Sequence, residues 1–336
     1  MKIDDRFYMK LALDEAWKYQ LLTYPNPAVG CVLVKNNVIL SIEAHKKAGD
    51  SHAELNALKE AYLKKYPNSV LKILDDPFEI NAYLISNHND FFVDCTVYLT
   101  LEPCSHIGKT PSCANLLVKL NVKRVVVGLE DINTQASGGI AIIKKSNIEL
   151  SINSVLYKEC RDLIYPFIKW MQGSFIFYKM AQTLNGVVSG GYISSNQTLC
   201  YVHTLRDVID CLAIGGNTVR IDKPTLDSRH IKGRNPDVFI YSRSKTFDSN
   251  IPLFKIDNRK IIISDDLFKL LDYKFIMVEG SYRLLDLLKD KLDYLVLLIT
   301  PKIKNGINIL NNINIDFEII HENYIGKDKI VYLKKI

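Results

Sequence analysis

The segment His52-Ala53-Glu54, followed far downstream by Pro103-Cys104 and then by Cys113, constrains this chain more than any other feature. One imidazole and two thiols can fill three corners of a tetrahedral zinc site and leave the fourth to water, whose pKa the metal lowers toward neutrality. Glu54, two residues beyond the histidine, suits a carboxylate that moves protons rather than one that binds metal. Eight residues separate Cys104 from Cys113, and His106 lies among them. His106 could close the site as a fourth ligand and make the zinc structural. Glu54 would then have no task, which favours the open, catalytic arrangement.

The surrounding pattern is α/β. Residues 4–22 carry apolar side chains at helical spacing, and Val29–Val34 and Val38–Ile42 read as a hairpin about Lys35-Asn36-Asn37. Ala53–Leu63 reads as a helix, Thr96–Leu101 as a strand running into Pro103-Cys104, Asn115–Leu120 as a helix and Arg124–Leu129 as a buried strand. This alternation implies a helix-covered sheet in which His52 and Cys104 each open a helix. Residues 64–95 fit no alternation and are expected to form a surface elaboration. Asn153–Met171 is helical by pattern. Beyond it, Phe175–Met180, Cys211–Ile214, Val238–Tyr241, Lys260–Ile263, Phe275–Val278, Leu295–Thr300 and Ile330–Leu333 are strand candidates, with a helix at His203–Asp207.

A length of 336 residues allows two ordinary cores, and the apolar and charged fractions, 48% and 24%, are those of a globular protein. No apolar run approaches a membrane span, and the charged opening at Met1–Asp5 does not read as a signal peptide, so a cytoplasmic address is expected. The formal charge of +6 is spread over scattered lysines without an arginine-rich tract, which gives no nucleic-acid footprint and suits a small anionic substrate. The odd count of seven cysteines argues for thiols rather than disulfides. Cys31, Cys160, Cys200 and Cys211, in apolar surroundings, are expected in the core.

The H-x-E and P-C pair is the signature of zinc-dependent nucleobase deaminases. Three stretches narrow it: Asn26-Pro27-Ala28-Val29-Gly30-Cys31-Val32, His45-x-x-Ala48-Gly49-x-x-His52-Ala53-Glu54, and Leu101-Glu102-Pro103-Cys104-Ser105-His106-Ile107-Gly108-Lys109-Thr110-Pro111-Ser112-Cys113. They closely resemble the bacterial bifunctional deaminase/reductase family of riboflavin biosynthesis, in which the long C-x8-C loop replaces the short C-x-x-C of other deaminases. The resemblance implies a cytidine-deaminase-like three-layer domain over residues 1–150, with zinc on His52, Cys104 and Cys113 and Glu54 as the catalytic proton donor. Its pyrimidine site carries over to Asn26, His45, His106, Lys109, Asp131 and Asn133. The family's Asp-Pro-Asn-Pro reads Asp131-Ile132-Asn133-Thr134 here.

The likeness continues through Tyr178–Gly186, His203-Thr204-Leu205-Arg206, Gly216–Arg229 and Val278-Glu279-Gly280. It implies a connector helix at 151–173 and, over 174–336, a dihydrofolate-reductase-like domain using NADPH. By position, Ala181, Tyr192, Thr218, Asp222, Ser242, Gly280 and Ser281 would face the cofactor. Ser189, Arg206, Leu226, Arg229 and Glu279 would face the substrate, with Lys179 at the chemistry. Guanidinium forks suit a ribose phosphate. From the residues alone, Gly215-Gly216 after a buried strand reads equally as a phosphate cradle or a plain turn.

The implied activity is deamination of a phosphorylated diaminopyrimidinone ribosylamine, then reduction of its ribosyl group to ribityl, in a cytoplasmic homo-oligomer free of nucleic acid and membrane. Three alternatives stand beside it: a live deaminase with an impaired or altered reductase half, a nucleic-acid-directed zinc deaminase, and a zinc protein that only binds.

Overall fold

The computed structural model describes residues 3–153, 155–189, 191, 193–308 and 313–336. The chain divides into two compact units, Met1–Ile168 and Lys169–Ile336.

The first unit runs α1 (Asp5–Trp17), β1 (Gly30–Lys35), β2 (Val38–Ala44), α2 (Ala53–Lys65), α3 (Pro77–Asn87), β3 (Cys95–Leu99), α4 (Cys113–Lys119), β4 (Arg124–Val127), α5 (Gly139–Lys144), β5 (Glu149–Ile152) and α6 (Tyr157–Leu163). Its sheet has the order β2-β1-β3-β4-β5; β1 is antiparallel to both neighbours, and β3, β4 and β5 are parallel. The β1–β2 hairpin turns on Asn36 and Asn37, both left-handed with φ of 51° and 64°, a conformation asparagine tolerates better than most residues. Strand alternation produces the layers. Cys31, Leu33, Val97, Leu99, Val125 and Val127 pack with Leu55, Leu58, Leu116 and Leu117 of α2 and α4. On the opposite face Tyr98 packs against Tyr8 of α1, the rings tilted by 33° with centroids 5.0 Å apart. Gly30 lets α1 lie directly on β1: a Cβ there would come within 1.9 Å of the Ala12 carbonyl.

Two expectations need correction here. Residues 64–95 are not a patternless surface stretch. Asp76 caps α3 by accepting from the Phe78 and Glu79 amides, and Leu71, Ile80, Leu84 and Phe92 enter the core. The apolar positions were present, but short segments with few turns carry little periodic signal. Cys104 does not open a helix either. The loop after it runs on to Ser112, whose hydroxyl accepts from Asn115 at 3.3 Å, so Cys113 is the residue that starts α4.

α7 (Tyr165–Gln172) carries the boundary between the units. The second unit continues with β6 (Phe175–Thr183), α8 (Asn196–Val208), β7 (Cys211–Gly215), α9 (Gly216–Asp222), β8 (Asp237–Tyr241), β9 (Ile261–Ser264), β10 (Phe275–Glu279), α10 (Tyr282–Leu288), β11 (Tyr294–Thr300), β12 (Phe317–Ile325) and β13 (Asp328–Lys335). The sheet order is β12-β13-β11-β6-β10-β7-β8-β9, parallel from β11 to β9 with β13 and β12 added antiparallel. The parallel strands read as continuous apolar runs because both faces are covered. Their carboxyl ends, among them Gly215, Tyr241 and Glu279, share the edge at which such sheets bind ligands. Cys31, Cys160 and Cys211 are buried as expected, whereas Cys200 is exposed on α8. Thr198, Val202 and Leu205 form the buried face of that helix, and Cys200 falls between them.

Candidate active site

His52 occupies the N-cap of α2 in an extended conformation, Cys104 follows β3, and Cys113 begins α4. The fold brings their donor atoms within 4.8 Å of one another, and His106 lies outside this cluster among the described residues. His52 Nδ1 stands 3.5 Å from Cys104 Sγ and 3.6 Å from Cys113 Sγ. A tetrahedron with bonds of about 2.3 Å to sulfur and about 2.0–2.1 Å to nitrogen has N···S edges of about 3.6 Å. The donor set therefore fits zinc in spacing as well as in chemistry. Ring orientation is fixed from behind, since Thr110 Oγ1 meets His52 Nε2 at 3.2 Å.

The electrostatics of the cluster are those of a cation site. The bond with Cys113, reinforced by His52, pulls the Cys104 thiol down to about 4, and the Cys113 amide donates to its sulfur at 3.4 Å. Cys113, sharing that bond and wholly enclosed, is pushed up. Burial would lower His52, yet Cys104 and Glu54 raise it overall. Glu54, buried in the first turn of α2, has its carboxyl pushed up to about 7 by burial and by the charge of Cys104. A carboxyl so placed can both take and return a proton near neutrality.

Of the pyrimidine-site residues expected from sequence, Asn26 and His45 meet. The Asn26 amide nitrogen lies 3.1 Å from His45 Nε2, and His45 Nδ1 lies 3.1 Å from the Ser51 carbonyl. A carbonyl only accepts, so Nδ1 carries the proton and Nε2 accepts from Asn26. Burial holds His45 down to about 4, and its ring stands edge-on to His52 at 5.4 Å. Asp131 lies close enough to feel the charges of Glu102, Cys104 and His106, and burial raises its carboxyl. Asn133 is half-buried beside it, while His106 and Lys109 stand exposed on the loop between the cysteines.

In the second unit the parallel pairing of β6 and β10 sets Lys179 beside Glu279. Lys179 Nζ is 3.1 Å from the Glu279 carboxylate, and Arg206, reaching in from α8, is 3.2 Å from its other oxygen. All of these side chains are 15% exposed or less, so the carboxylate is enclosed by two cations; burial opposes its charge, but they hold it down at about 2. Arg206 also donates to the Asp227 carbonyl at 3.2 Å, and Arg229 pairs with the Asp227 carboxylate at 2.6 Å. Leu226, buried with φ of 55°, completes this bend. His203, a turn before Arg206, is lowered to about 4 by burial and by Arg206.

Of the expected cofactor residues, Thr218, Gly280 and Ser242 lie near the ends of β7, β10 and β8. Thr218 Oγ1 would lie 3.3 Å from a Cβ on Gly280, whose φ of 119° suits glycine, and a Cβ on Gly216 would strike Ser242 at 2.7 Å. Ser281 precedes α10 at its N-cap position without a side-chain capping bond, Ala181 lies on β6, and Asp222 ends α9 with its carboxyl raised by burial. Ser189 accepts from the Ile307 amide at 2.9 Å. Tyr192 lies outside the described residues.

Sequence reasoning missed three supporting side chains. Thr110 orients His52. Arg220 braces the loop after β8 through Ser242, Ser244 and Thr246. Arg259 donates to the carbonyls of Thr225 and Leu226. Thr110 sits inside the distinctive C-x8-C loop, which was the one available signal; the arginines reach backbone carbonyls that no spacing encodes.

The family described as cytidine and deoxycytidylate deaminase zinc-binding region matches residues 2–129. The riboflavin biosynthesis protein RibD of Aquifex aeolicus is 34% identical over 235 residues, 68% of this chain and 58% of its own length. The chain thus spans under two-thirds of that relative. The diaminohydroxyphosphoribosylamino-pyrimidine deaminase of Buchnera aphidicola subsp. Acyrthosiphon pisum is 37% identical over 174 residues, 52% of this chain and 99% of that protein. A crystal structure of the deaminase/reductase of Thermotoga maritima superposes with a TM-score of 0.67 at 24% identity, covering 99% of both chains, which supports the two-unit fold. With the deaminase relative covered almost end to end, the chain belongs to the RibD family of riboflavin-biosynthesis proteins, and its first unit has the cytidine-deaminase fold.

Proposed function

We propose that the chain deaminates 2,5-diamino-6-(ribosylamino)-4(3H)-pyrimidinone 5′-phosphate in its first unit and reduces the ribosyl group of the product to ribityl, with NADPH, in its second. The observation that carries this reading is the His52–Cys104–Cys113 cluster, spaced for zinc, with buried Glu54 beside it. Zinc held there supplies the Lewis acidity that makes water nucleophilic near neutral pH. Glu54 takes the proton that water gives up and passes it to the amino group that leaves as ammonia. His45 fixes the Asn26 carboxamide, whose remaining N–H and oxygen would serve the heterocycle edge as donor and acceptor, and Asp131 and Asn133 would close the pocket.

NADPH, when bound in the second unit, would supply the hydride that C1′ takes up as the C1′–O4′ bond breaks and O4′ gains a proton. Arg206 and Arg229 would hold the phosphate, Lys179 and Glu279 would position the sugar, and Thr218, Ser242 and Gly280 would seat the cofactor. The proposed setting is cytoplasmic, in a homo-oligomer acting on free substrate. Activity insensitive to salt would distinguish this from action on nucleic acid.

The test is to incubate the purified chain with the diaminopyrimidinone phosphate, with and without NADPH, and to weigh the products. Exchange of an amine for oxygen is expected without NADPH, and a further hydrogen pair with it. Deamination that stops there would assign the chain an altered reductase half; no change of mass in either tube would end the proposal.

Thr110 gives a sharper check on the metal site. Thr110→Val keeps the shape but removes the oxygen that orients His52, and is expected to weaken zinc about 10–100-fold. Competition against a chelator measures this directly, and an unchanged affinity would remove Thr110 from the account.

A further inference from the structure

Glu102 lies between β3 and Cys104, buried at 8% exposure, and its side chain does not enter the metal cluster. Its carboxylate accepts three backbone N–H groups: Asp131 at 3.0 Å on Oε2, and Gly138 at 2.9 Å and Ile140 at 3.0 Å on Oε1. Its own amide donates to the Leu129 carbonyl at 2.8 Å. One side chain thus pins both ends of the segment 131–138 to the turn that presents a zinc-spaced cysteine. Ser105 adds to the clamp, its amide donating to Ala136 at 3.0 Å and its hydroxyl to Ser137 at 2.6 Å. Pro103 and Gly139 touch so closely that a Cβ at 139 would come within 1.8 Å of the Pro103 carbonyl.

Between those anchors the segment folds on its own polar side chains. Asp131 Oδ1 accepts from the Asn133 amide at 2.8 Å, and Asn133 Oδ1 accepts from the Gln135 amide at 3.1 Å. One oxygen of each is committed, so a ligand would meet Asp131 Oδ2 and the Asn133 carboxamide nitrogen. Ile132 and Thr134 do not fix their own φ as proline would. The direction of both side chains therefore depends on where the segment is tied down.

We propose that Glu102 is a positioning residue for substrate: it holds the Asp131–Asn133 edge of the pocket at a set distance from the Cys104 turn, and so governs substrate affinity. This rests on the deaminase reading above. Glu102→Gln isolates the claim. A glutamine has a single acceptor oxygen, best kept where it serves Gly138 and Ile140; its NH2 group then points at the Asp131 N–H and that bond is lost.

The experiment combines hydrogen exchange, zinc content and steady-state kinetics on the zinc-loaded full chain. In the parent the amides of Asp131, Gly138 and Ile140 should be protected. In Glu102→Gln the Asp131 amide should exchange faster, zinc should be retained, KM should rise about 10–100-fold and kcat should fall less than about threefold. An unchanged KM despite a deprotected Asp131 amide would overturn the proposal. So would a KM effect that appears only with loss of zinc, which would make Glu102 a support of the cysteine turn. Should the variant not fold, unprotected Asp131, Gly138 and Ile140 amides in the parent overturn it without any substitution. A parent chain that does not turn over the pyrimidine is a different failure: it removes the deaminase reading, and the substrate role of Glu102 with it, even where the amides are protected.

Discussion

A Glu54→Gln chain is expected to keep its zinc and to release ammonia about 10²–10⁴-fold more slowly than the parent, the range over which a positioned acid–base group contributes. The two side chains have nearly the same shape, and Glu54 is buried at the start of α2, so the substitution leaves the packing of that helix in place. The donor atoms of the cluster belong to His52, Cys104 and Cys113, so no ligand is withdrawn. What is withdrawn is a carboxyl group able to accept and return a proton beside the metal site. Metal analysis and a coupled ammonia assay on the same preparation separate these effects. Undiminished turnover would falsify the role given to Glu54, and loss of zinc would recast it as part of the metal site.

How far the sequence discloses this arrangement depends on the kind of contact. His52, Glu54, Cys104 and Cys113 are legible because zinc chemistry requires those residue types, and because an H-x-E segment and a P-C segment each belong at an element boundary. The parallel strands of the second unit are legible as apolar runs. Antiparallel β12 escaped notice because its residues alternate around half-buried with no continuous apolar stretch. Glu102 was read only as part of a motif, since its work is done on amides some thirty residues further on, at Asp131 and Gly138. Arg220 and Arg259 escaped for the same reason. Side chains that bind backbone leave no pattern of residue types, because any residue can offer the carbonyl or the amide. The displaced helix start at Cys113 is the converse case: Ser112 caps α4 through a purely local contact, but the length of the loop before it hid the boundary.

Replacing Glu279 by Ala is expected to be the most damaging single change in the second unit. Glu279 is the shared counter-charge of Lys179 and Arg206, each mostly buried, and its removal leaves both cations without it. Breaking a buried pair costs about 3–5 kcal/mol. For a unit of this size that lowers the melting temperature by roughly 6–20 °C. Reduction should be lost while ammonia release by the first unit persists. Trp170 packs on Phe275 with ring centroids 4.9 Å apart, so in a Trp17→Phe background it is the sole tryptophan and reports unfolding of the second unit alone. The pH dependence follows from the same geometry. The carboxyl is held at about 2 in the folded chain against an ordinary 4.5, so the unfolded chain takes up its proton first as the solution is acidified. Its contribution is complete above pH 4.5 and is lost as pH falls toward about 2. Glu279→Gln has no such proton to bind. Between pH 5 and pH 2.5, roughly, the parent should therefore lose stability more steeply than Glu279→Gln. Parallel profiles for the two chains would mean that the carboxylate is not held by its cations in the way the structure shows, and that the site at the end of β10 must be built differently.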